Sequence, residues 1–275
     1  MPGNPPDRVG ALLIHGLGGT EFDLGPLQRI LSKCGVHTHT VTLPGHGTTP
    51  QDLLDVTRED WLDAVSAAYH SLLATHQTVH IIGMCMGALL AVELAKRERH
   101  SAGKLVVLAP PIFIDGWSTP WYRSLRHLLY YLGPVAARMK VVEEHPFGIK
   151  NDLVRSIVQA KFERGDNFHY RWVPLKCVHQ VDRLRQSVVA DLHQITCPTL
   201  VVHAREDELT SLKSAYFLQE KMTNAVMEVV VLENSYHMIC VDNDRDQVAM
   251  VVTAHLDLDT TALQRKRRDG SIRLA

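Results

Sequence analysis

Residues 81–89 read Ile-Ile-Gly-Met-Cys-Met-Gly-Ala-Leu, between an apolar β-branched run and a helix-forming run. The pattern predicts a strand over Val79–Ile82, a sharp turn at Cys85, and a helix immediately after it. A side chain at the tip of such a turn has a strained backbone and needs small residues two positions away. Gly83 and Gly87 meet that need, so the pattern indicates a nucleophile at the turn, although a buried cysteine in ordinary strand–helix packing has the same five letters.

Apolar runs and helical patterns alternate along the chain on both sides of this turn. Such alternation is typical of a doubly wound, mostly parallel α/β sheet with helices on both faces, which is the predicted fold class. Strands are predicted over residues 9–15, 36–43, 79–82, 104–108, 198–203 and 225–232. Helices are predicted over residues 24–31, from an N-cap at Thr57 onward, and over 86–97, 211–222 and 244–256.

The alternation stops in residues 111–190, which show several helical patterns and no clear strand. Eleven of the seventeen aromatic residues fall in this stretch. We therefore predict an inserted helical cap, called the cap segment below, in an α/β core formed by residues 8–110 and 191–260. The aromatic residues are compatible with ordinary helix packing and also with a pocket for an apolar group. Trp117 and Trp121 are the candidate substrate-pocket residues.

Candidate partners for a cysteine nucleophile follow two predicted strands. Such a nucleophile needs a base, and the base needs an acid that orients it. Asp207 comes after the strand that ends at His203, and His237 comes after the strand that ends at Leu232. Because the carboxyl ends of parallel strands share one edge of a sheet, we expect Cys85, Asp207 and His237 to meet there.

Other side chains compete for these roles. Asp115 follows the strand over 104–108 and is the rival acid, but the position of Asp207 at a strand end favours Asp207. Glu206 is adjacent to Asp207, and strand alternation directs its side chain elsewhere. The chain has sixteen histidines, so position and not number selects His237. Three histidines near strand ends are expected to be structural, and these are His15, His46 and His203.

The order of nucleophile, acid and histidine, with the short motifs around them, resembles the carboxylesterase and monoglyceride lipase branch of the α/β-hydrolase superfamily. The resemblance implies a Cys85-His237-Asp207 triad and an oxyanion hole formed by the backbone N–H groups of Leu17 and Met86. It also implies a cap between the sixth and seventh strands of the family fold, and no metal ion or organic cofactor. The matching motifs span most of the chain: His15-Gly16-Leu17-Gly18-Gly19, Pro44-Gly45-His46-Gly47, Gly83-Met84-Cys85-Met86-Gly87, His203-Ala204-Arg205-Glu206-Asp207 and Ser235-Tyr236-His237.

Cys85 departs from the family pattern, in which serine is usual. A thiol is nearer its working pKa than a hydroxyl group, so attack on a carbonyl carbon is easier. A thiolate also leaves a tetrahedral intermediate more readily than an alkoxide does, so an ordinary oxygen ester tends to return to reactants. We therefore predict an acyl hydrolase that acts on a carboxylic ester or thioester through an acyl-cysteine intermediate.

Three alternatives stay open on the sequence alone. The first is an acyltransferase that passes the acyl group from a thioester donor to an alcohol or an amine. The second is a non-catalytic binding module, which would need neither Asp207 nor His237. The third is an esterase engineered from serine to cysteine at the turn. Neither the acyl chain nor the oligomeric state is indicated by the sequence.

Composition limits the partners of this chain. Its 275 residues have a formal net charge of −1, so no overall field favours nucleic acid. Five cysteines are scattered without the spacing of a disulfide framework or zinc site. With no apolar signal region and no run of membrane-spanning length, we expect a cytoplasmic protein without stable membrane insertion. The expected partner is a small-molecule or carrier-linked acyl substrate, and residues 1–7 and 261–275 are expected to be flexible termini.

Overall fold

The computed structural model describes residues 8–118 and 126–259. Its strands, numbered along the chain, are β1 (Val9–Ile14), β2 (His37–Val41), β3 (Thr78–Met84), β4 (Leu105–Leu108), β5 (Lys140–Val142), β6 (Trp172–Pro174), β7 (Thr199–Ala204) and β8 (Met227–Leu232). Six of them form one sheet in the order β2-β1-β3-β4-β7-β8, in which every neighbouring pair is parallel. The predicted doubly wound α/β fold is therefore confirmed. Trp121 and both predicted flexible termini lie outside the described residues.

Side chains of the central strands alternate between two apolar cores. Leu12 and Ile81 face one core, Leu13 and Ile82 face the other, and all four are fully buried. Helices cover both faces because neighbouring parallel strands need crossover connections. The helices are α1 (Leu27–Lys33), α2 (Arg58–Leu73), α3 (Met86–Arg97), α4 (Arg126–Tyr130), α5 (Gly133–Arg138), α6 (Asp152–Arg164), α7 (Leu175–Val188), α8 (Lys213–Lys221) and α9 (Arg245–His255). Across the described residues, none of these helices is long and apolar enough to cross a membrane.

Helix α2 begins where the sequence predicts it. The Thr57 side chain accepts a hydrogen bond from the backbone N–H of Asp60 (3.3 Å). The Asp60 carboxylate in turn accepts one from the backbone N–H of Thr57 (2.8 Å). This reciprocal pair satisfies two N–H groups at the helix start, so the predicted N-cap at Thr57 is confirmed.

The helix predicted over residues 24–31 is wrong in its bounds. The structure has a short 3₁₀ turn over Glu21–Leu24, and α1 follows it as a separate helix. Gly25 divides them, with a φ of +53°. A Cβ atom on Gly25 would lie 2.0 Å from the carbonyl oxygen of Cys240, so only glycine fits. This close approach comes from a residue far along the chain, and helical spacing in the sequence contains no sign of it.

The cap segment contains α4 to α7 and a two-stranded antiparallel ribbon of β5 and β6. The prediction of no strand in this segment is therefore wrong, because strands of three residues are too short to show alternation. Helix α7 lies against α3, and its side chains Cys177, Leu184 and Val188 are fully buried in the same apolar core. The cap segment is thus packed onto the core through α7.

Candidate active site

Cys85 occupies the turn between β3 and α3. Its φ is +56° and its ψ is −121°, a conformation that side chains rarely adopt and that marks a strained position. A Cβ atom on Gly83 would lie 2.0 Å from the carbonyl oxygen of Gly87. A Cβ atom on Gly87 would lie 2.1 Å from the carbonyl oxygen of Ile14. Both glycines are therefore required by close backbone contacts, as the sequence pattern predicts.

His237 and Asp207 form a buried hydrogen-bonded pair after β8 and β7. His237 Nδ1 donates to Asp207 Oδ2 at 2.7 Å, and the two residues are 5% and 3% exposed. The backbone N–H groups of Leu209 and Thr210 donate to Asp207 Oδ1 at 2.9 and 3.0 Å. Burial raises the pKa of Asp207, but the charge of His237 and these hydrogen bonds outweigh it and leave the pKa below its usual value. Asp207 is therefore held as a carboxylate that orients the ring.

The other ring nitrogen of His237 lies on the side of Cys85. Nε2 is buried and has no partner in hydrogen-bond geometry among the described residues. Burial lowers the pKa of His237, but the negative charge of Asp207 and interaction with Cys85 overcome it and hold the pKa well above the usual value. The raised pKa favours transfer of the Cys85 proton to the ring, which would leave a thiolate beside an imidazolium, so His237 is suited to be the base that activates the thiol.

Two backbone N–H groups predicted for an oxyanion hole lie near this thiol. Met86 is the first residue of α3, and Leu17 lies in the loop after β1. Neither N–H group donates to another described residue. A Cβ atom on Gly16, next to Leu17, would lie 3.2 Å from Cys85 Cβ and 3.6 Å from Cys85 Sγ. The loop thus leaves no room for a side chain at Gly16 beside Cys85, and both N–H groups remain available to an oxygen atom bound there.

The rival acids have other partners. Asp115 accepts hydrogen bonds from the backbone N–H and the side chain of Ser211, both at 2.9 Å. Glu206 is exposed and accepts from Lys150 Nζ at 2.6 Å. Within the part of the chain that the structure describes, neither carboxylate hydrogen-bonds to His237. The geometry therefore favours Asp207 over both.

The three histidines expected to be structural all bond to loops. His15 Nε2 accepts from the backbone N–H of Leu43 (3.3 Å), and His46 Nδ1 lies 3.0 Å from the carbonyl oxygen of Pro44. His203 Nε2 lies 3.0 Å from a carbonyl oxygen in the loop after β7. Burial lowers the pKa of each, that of His46 to about 4. These rings are therefore uncharged near neutral pH, and they hydrogen-bond to backbone atoms of the loops.

Glu208 is a buried carboxyl group beside the candidate triad that the sequence analysis missed. Its Oε2 accepts from the backbone N–H of His237 at 3.0 Å, and burial raises its pKa to about 7. Met238, which follows His237 in sequence, donates its backbone N–H to the carbonyl oxygen of Gly148 in the cap segment (2.8 Å). Adjacency to Asp207 is the only sequence signal for Glu208, and it does not indicate which side chain lies against the histidine loop.

Trp117, a predicted pocket residue, lies at the protein surface. Its side chain is 62% exposed, and Nε1 donates to the backbone carbonyl of Glu206 at 3.2 Å. Its ring packs edge-on against Tyr236, next to His237 in sequence. Trp117 is thus close to the histidine loop, and its role in a pocket stays a prediction. Trp121, the other predicted pocket residue, lies outside the described residues.

A separate cleft of about 500 Å³ lies between α4, α7 and the segment that follows β4. Its lining is mixed, with Phe113 beside the cationic side chains of Arg126, Arg185 and Lys213. Such a lining differs from the apolar wall that an acyl chain needs. Among the described residues, no three histidine, cysteine or acidic side chains are grouped in a way that could hold a metal ion.

The sequence of this chain is similar to those of known hydrolases. A sequence model of the family described as "Serine aminopeptidase, S33" matches residues 6–244. The chain is 28% identical over 246 residues to a thermostable monoacylglycerol lipase of Bacillus sp. strain H-257, with 87% of each chain covered. It is 24% identical over 247 residues to a carboxylesterase of Bacillus subtilis strain 168, covering 90% of this chain and 91% of that protein.

Similar folds occur in solved structures. A metagenome-derived lipolytic enzyme superposes with a TM-score of 0.77 at 22% identity, covering 91% of this chain and 94% of that chain. The monoacylglycerol lipase of Paleococcus ferrophilus superposes with a TM-score of 0.75 at 18% identity, covering 92% and 95%. At these identities, the likeness is one of fold.

Proposed function

Since this chain belongs to the serine aminopeptidase S33 family of α/β-hydrolases, we propose that it is an acyl hydrolase that cleaves a carboxylic ester or thioester through an acyl-Cys85 intermediate. The observation that carries the proposal is the strained turn that holds Cys85 beside the His237–Asp207 pair. The similarity to a monoacylglycerol lipase and a carboxylesterase favours a small ester over a peptide as substrate.

Acylation begins when His237 Nε2 takes the proton of the Cys85 thiol. The sulfur bonds to the substrate carbonyl carbon, and the carbonyl electrons move onto the oxygen, which the N–H groups of Leu17 and Met86 stabilise. Collapse of this intermediate breaks the bond to the leaving alkoxide or thiolate, which takes the proton back from His237. Asp207 remains ionised and holds the ring in the productive orientation.

Deacylation repeats these steps with water. His237 removes a proton from water as the oxygen attacks the acyl-Cys85 carbonyl, and a second oxyanion forms at the same N–H groups. The intermediate then expels the Cys85 thiolate, which regains a proton from His237 and releases the carboxylic acid. Because a thiolate leaves more readily than an alkoxide, a cysteine suits this second half of the reaction.

The same property limits the first half of the reaction for an oxygen ester. An intermediate with both sulfur and alkoxide as leaving groups returns to reactants more often than it goes forward. A thioester or another activated acyl donor has a leaving group comparable to the sulfur. We therefore rank thioesters and activated esters above simple alkyl esters as substrates.

The cap segment, residues 111–190, is proposed to cover the site, with residues 8–110 and 191–260 as the catalytic core. Two contacts support this role. The backbone N–H of Met238, next to His237, donates to Gly148 of the cap segment, and the backbone N–H of Tyr170 donates to Gly18 beside Leu17 at 2.7 Å. The cap segment therefore contacts the loops on both sides of the thiol.

Intact-mass measurement after incubation with acyl thioesters and 4-nitrophenyl esters tests the proposal. We expect one acyl group on the wild-type protein, located at Cys85 by peptide mapping, and no acylation of Cys85→Ala. Cys177→Ala serves as a matched control, because that thiol is fully buried in the core, where burial raises its pKa. Turnover that persists in Cys85→Ala would contradict the proposal.

Acyl transfer is the second candidate, because an acyl-Cys85 is itself a thioester and can react with an alcohol or amine. Adding glycerol or a primary amine to the thioester reaction separates the two activities. An ester or amide product that forms faster than the free acid would indicate transfer. Cys85→Ser adds a comparison: simple ester hydrolysis should hold or rise, and thioester turnover or transfer should fall. A large rise in every activity would indicate an esterase in which serine had been exchanged for cysteine.

A further inference from the structure

We propose that buried Asp23 and partly buried His169 form an ion pair that positions the oxyanion loop (residues 15–20) and balances charge beside the reacting oxygen. His169 belongs to the cap segment, so the pair makes oxyanion stabilisation at Cys85 depend on a cap residue. Both side chains are positioning residues that act through the loop. The inference rests on the proposed function, because it assigns a role in stabilising the oxyanion of that reaction.

Asp23 is enclosed by the oxyanion loop. It is 1% exposed, and its Oδ2 accepts the backbone N–H of Gly16 at 3.0 Å. A Cβ atom on Gly19 would lie 1.8 Å from the same oxygen, so the loop folds closely around the carboxylate. By holding the Gly16 N–H, Asp23 fixes the His15–Gly16 peptide, which is one peptide before the Leu17 N–H. The Leu17 N–H itself remains without a partner among the described residues.

This carboxylate is close enough to the nucleophile to affect its reaction. The position of a Cβ on Gly16 lies 3.1 Å from Asp23 Oδ2 and 3.6 Å from Cys85 Sγ. Since the carboxylate oxygen and the sulfur both lie near this one position, an unbalanced negative charge on Asp23 opposes the build-up of negative charge on a substrate oxygen. The site therefore needs a cation next to Asp23.

His169 is the positive group that faces Asp23. Its Nδ1 lies 3.3 Å from Asp23 Oδ1, and its Nε2 lies 3.9 Å from Glu143 Oε1. Burial lowers the pKa of His169, but hydrogen bonds and attraction to these two carboxylates raise it to about 10. The other two rings that face it, His15 and His46, have pKa values lowered by burial and are neutral near pH 7.

Backbone contacts hold the ion pair in register with the loop. Tyr170, next to His169, donates its N–H to the carbonyl oxygen of Gly18 at 2.7 Å. The Thr20 hydroxyl donates to the carbonyl oxygen of Phe168 at 2.7 Å. His169 thus lies between two bonds that join the cap segment to the oxyanion loop, and these bonds hold its backbone next to that loop.

The test uses two reagents that separate the oxyanion from the thiol. A small alkyl trifluoromethyl ketone reports on the oxyanion, since the Cys85 sulfur bonds to its carbonyl carbon, the carbonyl electrons become an oxyanion, and the thiol proton stays on His237. Iodoacetamide reports on the thiol, because alkylation displaces iodide and forms no oxyanion. The variants are His169→Gln, Asp23→Asn and the double variant, with Arg164→Gln as a control that breaks an exposed cap-segment ion pair.

We expect His169→Gln to weaken the ketone about tenfold or more and to leave the rate of Cys85 alkylation within about twofold. Removing the unbalanced carboxylate should repair this defect, so the double variant should bind the ketone more tightly than His169→Gln does. For esters, the loss should fall on kcat and not on KM. Arg164→Gln should behave as wild type in every assay.

Three outcomes would overturn the inference. The first is unchanged ketone affinity in His169→Gln. The second is a double variant no better than His169→Gln, which would indicate a packing role without charge balance. The third is that iodoacetamide modifies wild-type Cys85 in preference to the other thiols, but the ketone forms no adduct with it. If iodoacetamide does not modify Cys85 in preference to the other thiols, the proposed function itself fails. Because Asp23→Asn keeps a side-chain acceptor for Gly16, it tests the charge even if His169→Gln does not fold.

Discussion

The parallel sheet and helices α4 and α5 of the cap segment are stabilised by different interactions. Strands β1, β3, β4 and β7 bury apolar side chains on both faces, whereas Ala136 is the one fully buried side chain in the described α4 and α5. Helix α4 is instead held by polar bonds, since Arg126 and the Tyr130 hydroxyl donate to Asp182 of α7 at 2.9 and 2.6 Å. The sheet depends on burial, and the cap segment depends on a few directed polar bonds as well.

The difference has a physical consequence. Burial of apolar surface is non-directional, and its contribution to the unfolding free energy is spread over many side chains of the sheet. A buried carboxylate that satisfies several N–H groups concentrates its contribution at one side chain. We therefore expect chemistry to be most sensitive at the edge of the sheet. Attachment of the cap segment should be most sensitive at the buried acids that accept hydrogen bonds from it.

The largest expected effect is at the edge of the sheet. His237→Ala should lower turnover by about 10³-fold or more, because it removes the proposed base while Cys85 stays in place. Initial rates on a 4-nitrophenyl ester measure the effect, with the exposed His70→Ala as the matched control. Turnover within tenfold of wild type would mean that another group serves as the base.

The second prediction concerns cap-segment attachment. Asp242 is fully buried and accepts the backbone N–H groups of Lys150 (2.7 Å), Asn151 (2.8 Å) and Tyr236 (2.8 Å). Asp242→Ala leaves these groups unsatisfied and should lower the unfolding free energy by about 4 kcal/mol. Urea denaturation measures it, and Asp63→Ala, on the exposed face of α2, is the control. A loss as small as that of Asp63→Ala would mean that the cap segment is held by apolar packing alone.

The third prediction is a pH effect at Glu208. Burial raises its folded pKa to about 7, above its ordinary value of 4.5, so folding favours the protonated form. The unfolding free energy should therefore be highest below pH 4.5 for this group and should fall as pH rises through 7. Relative to Glu208→Gln, wild type should lose about 2–3 kcal/mol between pH 5 and pH 8.

Thermal and urea unfolding across that pH range measure the Glu208 effect. Glutamine keeps an oxygen that can accept from the His237 N–H but does not ionise. Glu206→Gln changes the adjacent exposed carboxylate and should reproduce the wild-type pH profile. Parallel profiles for wild type and Glu208→Gln would show that Glu208 is ionised in the folded protein at pH 5.

The smallest expected effect on stability is at Trp117. Trp117→Ala should change the unfolding free energy by about 1 kcal/mol or less, because its ring is 62% exposed. If the ring borders the acyl pocket, the ratio of kcat/KM values across esters of different chain length should change. Tyr131→Ala, which removes an 88% exposed cap-segment ring, is the control. The same chain-length preference in both variants would remove Trp117 from the pocket.

Local patterns predicted much of the fold. The N-cap at Thr57, the turn at Cys85 and helix α3 over Met86–Arg97 agree with the structure because each is encoded by neighbouring residues. Helix α1 and the β5–β6 ribbon were not predicted correctly. Gly25 lies against a distant carbonyl group, and strands of three residues contain too little pattern.

The sequence by itself determined the α/β class, the strained turn at Cys85, and the placement of Asp207 and His237 after strands, because alternation, glycine spacing and chain order are local properties. Only the tertiary structure decided which side chains meet at the carboxyl-end edge of the sheet. Glu208 lies against the His237 backbone, and Asp23 meets His169 from a segment 146 residues away in sequence. Burial and proximity between distant segments shift the pKa values of Glu208 and His169, and no pattern among neighbouring residues contains that information.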